Sequence, residues 1–255
     1  MPSWFSWRQS APPALEPLMH ITHGKAGSTW IDLILRKLFV GQVAPRLWEM
    51  PERFSFEKYP VYAAVFMTRE KFLTYPELAE IKRFVVIRDL RDTLISQYFS
   101  MRDTHELDPG GIVQERREIL RSCNFVEGLQ YLLENALVKQ AAIQQSWIGC
   151  GEILLKYEDL IAHDHELFDD LFLNRLALRT TSENVSQAVT ANRFETIFQR
   201  RLGEEDPTSH GRKGSPGDWR NHFTRDFADQ FEKRYGSLLI AGGYETDAAW
   251  VEAVS

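Results

Sequence analysis

The stretch LMHITHGKAGSTWIDLILRKLFV (18–40) constrains the fold of this chain more than any other. Its first five residues, LMHIT, form a short apolar run that reads as a buried strand. A loop with two glycines, HGKAG (23–27), follows at once. Apolar residues then recur at helical spacing: Trp30, Ile31, Ile34, Leu35 and Leu38. Ser28 or Thr29 is placed to cap the start of that helix. Strand, tight loop and helix in this order bring free backbone N–H groups and the positive end of the helix dipole to one point, where an anion is favoured. Lys25 adds a full charge, and Ser28 and Thr29 add hydroxyls. The order differs from a Walker A loop, whose lysine follows the second glycine. Here Lys25 precedes Gly27.

Three more runs read as strands: VYAAVFMT (61–68), KRFVVIRDL (82–90) and EILLKYEDL (152–160), the last running into a helix. Phe84–Ile87 suits a parallel strand covered on both faces. Helices are predicted at about 91–102, 111–121, 125–147 and 224–235, and residues 164–200 read as mostly helical. Residues 41–59 carry two prolines and mixed charge and read as a loop. Residues 200–219 hold glycines at 203, 211, 214 and 217 and prolines at 207 and 216, so they form a long loop. Loops of that length inside a domain commonly serve function. Strands alternating with helices predict an α/β fold, with a central parallel sheet flanked by helices. The 255 residues, 44% of them apolar, are enough for one large domain over 1–255.

The net charge of -6 excludes general attraction to nucleic acid. No run approaches the ~18 apolar residues of a spanning helix, so no transmembrane segment is expected and the cytoplasm is the default location. Trp4, Phe5 and Trp7 are expected to fold back on the body. Cys123 and Cys150 have no metal-ligand spacing, no metal is expected, and so few cysteines suit a reducing compartment. Cations are nonetheless concentrated. Arg88 lies at the end of a predicted strand, where open α/β sheets bind ligands, and Ser96 follows two helical turns later. An arginine there can equally cap the sheet or pair with Asp89 or Asp92. Arg212 and Lys213 sit between Gly211 and Gly214, and two adjacent cations call for an anion or water between them. Trp219 ends that loop and is expected to dock it on the body.

The segments HGKAGSTW, VVIRDLRDTLISQYF, LLKYEDL and RKGSPGDWRNHFT together resemble the cytosolic-type sulfotransferase family, which uses 3′-phosphoadenosine 5′-phosphosulfate (PAPS) and releases adenosine 3′,5′-bisphosphate (PAP). The four motifs occur in the family's order and span roughly residues 18–244. The resemblance implies the P-loop-like sulfotransferase fold and a donor site assembled from all four. Lys25, Ala26, Gly27, Ser28 and Thr29 match the loop that holds the phosphosulfate, and Trp30 matches the aromatic beside the adenine. Arg88 and Ser96 match the pair on the 3′-phosphate. Tyr157 and Phe194 match residues on the adenine side, and Arg212, Lys213 and Gly214 match the loop that closes over the 3′-phosphate. Sulfuryl transfer rests on in-line positioning and on neutralising the leaving oxygen, a role for Lys25 with hydroxyl and N–H donors around it.

The acceptor proton needs a base. Relatives place a histidine on the strand before the arginine strand, but AAVFMTREKF (63–72) has none, and Phe66 or a neighbour stands there. Glycan-directed and protein-tyrosine sulfotransferases use a glutamate downstream of the first loop. Glu49, with Glu52 as a fallback, falls in the comparable segment, and His105 after the 3′-phosphate helix is the other candidate. His20 and His23 flank the donor loop, and His222 is expected to be structural. The acceptor is expected to be a small molecule, a lipid or a glycan. It would be shaped by 41–59, 102–125 and 200–212, with Trp48, Phe54, Phe56 and Tyr59 as an aromatic wall. Two alternatives stay open: a PAP- or PAPS-binding protein without turnover, and a nucleotide kinase-like P-loop phosphotransferase. The segment RNHFTRDFAD carries Arg225 where relatives that dimerise through it carry valine, so that dimer is not expected and the oligomeric state stays open.

Overall fold

The strand Leu18–Thr22 (β1) is buried along its whole length and has a partner on each side. Val61–Val65 (β2) lies on one side, and Lys82–Ile87 (β3) on the other. Leu154–Lys156 (β4) completes the order β2-β1-β3-β4, with every pairing parallel. The computed structural model describes residues 16–47, 49–209 and 211–254. Trp4, Phe5, Trp7 and Trp48 lie outside them. Continuous apolar strands are what a parallel sheet covered on both faces requires. Alternation along β1 splits its side chains between two cores. Leu18 packs with Ile31, Ile34 and Leu35 of the helix Ser28–Leu38 (α1). Met19 and Ile21 pack with Val85, Ile87 and Trp147 on the opposite face.

The pairing of β1 with β2 slips between Met19 and Ile21, and Ala64 takes up the extra residue with φ 55°. The Ala64 N–H donates to His20 Nδ1 at 3.3 Å. His20 thus supplies the partner that the ladder loses. Burial pushes its imidazole down to about 3, so it stays neutral. The bulge ends β2 at Val65, short of the predicted Thr68.

The helix Arg69–Phe72 (α2) follows, and then Leu90–Phe99 (α3) after β3. The helix α3 runs into a π-helical turn, Ser100–Thr104. The predicted helix 125–147 is two helices, Phe125–Asn135 (α5) and Leu137–Trp147 (α6), after Ile112–Ser122 (α4). Ala136 breaks them at φ -126°, ψ -47°, while its N–H still bonds to Leu132. No glycine or proline marks the break; packing sets it, because α5 lies on α3 whereas α6 also contacts α2. The region 164–200 resolves into Asp164–Asp169 (α8), Ser182–Ala191 (α9) and Phe194–Phe198 (α10), after a short Tyr157–Ala162 (α7). The last long helix is Arg225–Ala241 (α11). A third core gathers Leu94 and Tyr98 of α3, Leu132 of α5, Leu137 of α6 and Phe231 of α11. No helix among the described residues is long and apolar enough to cross a membrane.

The loop before α11 is held to this core by Trp219, which is 3% exposed. The Trp219 ring lies against the Arg91 guanidinium at 4.0 Å and edge-on to Trp250 at 5.3 Å. Asp92, on the first turn of α3, accepts from the backbone N–H of Gly217 at 2.6 Å and of Trp219 at 3.0 Å. It also lies 4.0 Å from Arg88. Asp92→Ala strands one buried and one half-buried backbone donor beside a buried cation, and is expected to cost about 3 kcal/mol of stability. Urea unfolding followed by tryptophan fluorescence checks this; a loss below ~1 kcal/mol would show that the loop docks without Asp92.

Candidate functional site

Parallel strands deliver their carboxyl ends to one edge of a sheet, and ligands of open α/β folds bind there. At that edge lies a cleft of about 1140 Å³. Lys25 follows β1, Arg88 follows β3 and Tyr157 follows β4, and all three line it. Gly214, from the long loop, joins them.

The first loop takes the left-handed backbone at two places, Lys25 (φ 72°) and Gly27 (φ 76°). Gly27 has a second reason to be glycine. A Cβ there would stand 2.7 Å from the Tyr157 ring. Gly27 is also the N-cap of α1, with no side-chain cap, so neither Ser28 nor Thr29 has the capping role expected of it. Both hydroxyls line the cleft instead, and Thr29 accepts from Arg46 at 3.3 Å. Ala26 is fully buried and offers only its backbone.

One chain of contacts joins the separated motifs. Arg88 Nη1 donates to the carbonyl of Lys25 at 2.8 Å. The Arg88 guanidinium lies over the Tyr157 ring, 4.5 Å from its centroid. The Tyr157 hydroxyl donates to the carbonyl of Gly214 at 3.0 Å. Arg88 Nε is buried with no partner among the described residues. Burial, then the charges of Arg88 and Arg46, push the Lys25 ammonium down to about 8. Such a site favours an arriving anion, which removes the repulsion.

Trp30 lines the cleft and meets Tyr157 edge-on at 6.2 Å. Its indole N–H is buried without a partner among the described residues. Phe194 also lines the cleft and packs on Phe198 at 4.8 Å. A Cβ on Gly214 would lie 2.6 Å from Phe194. Ser96 is half-buried on the wall beside Arg88. Arg212 and Lys213 share the counter-ion Asp218, which lies between them, and Arg212 also pairs with Glu205 at 2.6 Å. Asp218 also accepts from Asn221 at 2.9 Å and contacts His222 Nε2 at 3.1 Å. Burial alone would raise its carboxyl, but these partners hold it far below the usual carboxylate range. The adjacent cations implied an anion; Asp218 is that anion here.

The base candidates separate. His105 lies on the cleft wall just after the π-helical turn, with Nδ1 3.4 Å from Ser100 Oγ. Arg117 Nη2 fixes its carbonyl at 2.5 Å. Glu49 and Glu52 are exposed and do not line the cleft. His20 and His23 are buried beneath the loop, His23 held at 3.0 Å by Gly24 O and by the Gln144 side chain. Burial pushes His23 down to about 4. Phe66 stands in the wall, 41% exposed. The expected aromatic wall of 41–59 is corrected. Phe54 is 3% exposed and packs edge-on against Tyr62 and Tyr75, each at 5.1 Å, with Phe56 beside it. Its spacing suits a cleft wall as well as a core, and the neighbouring tyrosines draw it into the core.

Sequence reasoning missed Arg200, which ties the long loop by donating to the carbonyls of Gly211 at 2.7 Å and Arg212 at 3.2 Å. No local pattern marks it. It also missed Lys139 and Gln140 of α6, which line the cleft. Their spacing with Ala136 and Ile143 is a helical face that could have been read.

The family model described as "Sulfotransferase domain" matches residues 16–243. A 3-alpha-hydroxysteroid sulfotransferase from Cavia porcellus is 22% identical over 251 residues, covering 86% of this chain and 82% of its own. A mouse sulfotransferase solved with PAP superposes with a TM-score of 0.60 at 14% identity, over 88% of this chain and 84% of its own. Retinol dehydratase, solved with retinol and PAP, has a TM-score of 0.52 at 17% identity, over 88% and 82%. These structures share the α/β fold described above.

Gly27→Ala places a methyl group against Tyr157 and strains a left-handed residue. It is expected to cost roughly 1–3 kcal/mol of stability and to shift the loop. Thermal unfolding checks this, and an unchanged midpoint would show that the loop has room to spare.

Proposed function

Because this chain belongs to the sulfotransferase domain family, we propose that it moves a sulfuryl group from PAPS to a hydroxyl or amine of a small-molecule, lipid or glycan acceptor. The observation that carries the proposal is the Lys25–Arg88–Tyr157–Gly214 chain of contacts, which gathers the four motifs around one cleft. Two features suit an anionic nucleotide: the unpartnered Arg88 Nε and the left-handed loop at Lys25 and Gly27, where a Cβ on Gly27 would intrude. The mouse relative and retinol dehydratase were both solved with PAP, and the steroid and retinol of the relatives are small-molecule ligands.

PAPS supplies the sulfuryl group on a phosphate leaving group. Lys25, with Ser28, Thr29 and the N–H groups from Ala26 onward, would neutralise and orient that end. Arg88 and Ser96, with Arg212, Lys213 and Gly214, would hold the 3′-phosphate. For that, Arg212 and Lys213 exchange Asp218 for the phosphate, in whole or in part. Trp30, Tyr157 and Phe194 would flank the base. Proton removal from the acceptor falls to His105, which lines the cleft, rather than to Glu49, which does not. Free Cys123 and Cys150 suit a reducing compartment, and we place the protein in the cytoplasm. The absence of a histidine from 63–72, where Phe66 or a neighbour takes its place, favours a second reading, PAP or PAPS binding without turnover.

Calorimetric titration is the first test. PAP is expected to bind well and AMP at least about tenfold more weakly. A preference for ATP with magnesium would favour a phosphotransferase instead. PAP binding with no transfer from labelled PAPS to any acceptor would favour the second reading. Lys25→Ala is expected to lower transfer by about a hundredfold or more while PAP still binds; retained activity would remove Lys25 from the chemistry.

Lys25 also predicts a pH dependence. Its charged form is penalised in the free cleft, which holds it near 8, and a bound anion restores it toward the ordinary 10.5. Binding therefore takes up a proton above pH 8. Affinity for PAP should fall with rising pH in that window, by up to about tenfold per pH unit. Calorimetry in buffers of different ionisation enthalpy reads the proton uptake, and affinity flat across the window would contradict it.

A further inference from the structure

Several cations lining the cleft come with their own counter-charges. Arg212 and Lys213 share Asp218, Arg88 faces Asp92, and Arg193 holds Asp164 with two contacts of 2.7 Å. Two others do not. Arg116, from α4, and Lys139, from α6, line the same cleft, and neither has a carboxylate within ion-pairing distance among the described residues. Among the described residues, the one hydrogen bond Arg116 makes from its side chain is a long one, 3.5 Å to the carbonyl of Asn135.

Their position follows from α6. Ala136, Lys139, Gln140 and Ile143 fall on one face of the chain there and line the cleft together. Gln140 marks the donor end, because its Nε2 is the nearest group to Gly24, 3.5 Å from where a Cβ would stand. Its Oε1 is buried and has no partner among the described residues. Ala136 is four residues nearer the helix start, about 6 Å along the axis. Arg116 reaches the carbonyl of Asn135, just beyond it. From the donor loop outward, the wall thus presents an unpartnered amide oxygen with Lys139 next to it in sequence, and then, about one helical turn away at the Asn135 carbonyl, Arg116. Phe66, Met101 and Ile143 add apolar surface to the same cleft.

We propose that Arg116 and Lys139 form an anion subsite, and that the acceptor carries two polar ends. One end is the hydroxyl or amine to be sulfated, facing Gln140. The other is a carboxylate, sulfate or phosphate up to roughly one helical turn away, held by Lys139 and Arg116. This rests on the sulfotransferase reading. Two like charges in a concave wall attract an anion more strongly than either does on an open surface, and a neutral acceptor would leave them unanswered.

The test uses two dyes that differ only in charge, anilinonaphthalene sulfonate and neutral phenylnaphthylamine. Each is titrated by fluorescence into the protein saturated with PAP. The double variant Arg116→Ala/Lys139→Ala is expected to bind the sulfonate about tenfold more weakly, with the neutral dye changed less than about twofold. Lys139→Ala alone, at an exposed position, should shift the sulfonate in the same direction by about threefold. PAP affinity of each variant, from calorimetry, reports that the fold and donor site are intact. Equal binding of the sulfonate to wild type and double variant would overturn the subsite, as would equal loss of both dyes with PAP affinity kept. Failure of wild type to bind PAP would instead overturn the sulfotransferase reading, and the dye pair, titrated without PAP, would still decide the subsite.

Discussion

Arg88 is the interaction on which the rest of the site depends. It is 9% exposed, and a buried guanidinium is costly unless its donors and charge are answered. The answers come from three separate parts of the chain: the carbonyl of Lys25, the face of Tyr157 and the carboxylate of Asp92. Satisfying one residue therefore fixes the first loop, the end of β4 and the start of α3 relative to one another. Tyr157 extends the same constraint to Gly214 through its hydroxyl. The arrangement leaves Lys25 beside Arg88 in a confined space, and that proximity is part of why the ammonium is pushed down to about 8. The cleft is thus left with more positive charge than it neutralises at its floor, which is the electrostatic condition for holding a phosphorylated nucleotide.

The two aspartates of this region do different work. Asp92 accepts from two backbone donors of the long loop and anchors it. Asp218 spends its lone pairs on side chains, among them the two cations that the loop presents to the cleft. A carboxylate in that position keeps Arg212 and Lys213 together when no other anion is near. The loop is consequently tied at its base by Asp92 and Trp219, and along its length by Arg200. Its working residues depend on an ion pair that a competing anion can replace.

Phe66 stands in the cleft wall, in the segment where the resemblance leads one to expect a histidine and the sequence has none, and His105 reaches the cleft from the end of α3. The π-helical turn Ser100–Thr104 makes that possible, since the wider turn changes the direction in which the chain leaves the helix. Such turns recur at functional sites. The Ala136 break has a comparable effect. It lets α6 leave the line of α5 and bring Lys139 and Gln140 to the cleft.

The sequence by itself determined the sheet, the loop and the cations. Apolar runs of strand length separated by helical periodicity specify parallel strands covered on both faces, because burial on two sides leaves no polar positions. Gly27 and Gly214 mark close backbone approaches that only a missing Cβ allows. Lys25, Arg88, Arg212 and Lys213 were legible as clusters for the same local reason: their neighbours in sequence are their neighbours in space. Tertiary structure decided what those clusters meet. Asp92 reaches residues 125 and 127 positions away, and Tyr157 reaches one 57 away. No periodicity encodes such partners. It also decided that Phe54 belongs to the core, that Glu49 stays outside the cleft, and that α5 and α6 part at Ala136. Each depends on which surface lies opposite. A residue's own pattern states how much of it is buried, and only the packed fold states against what.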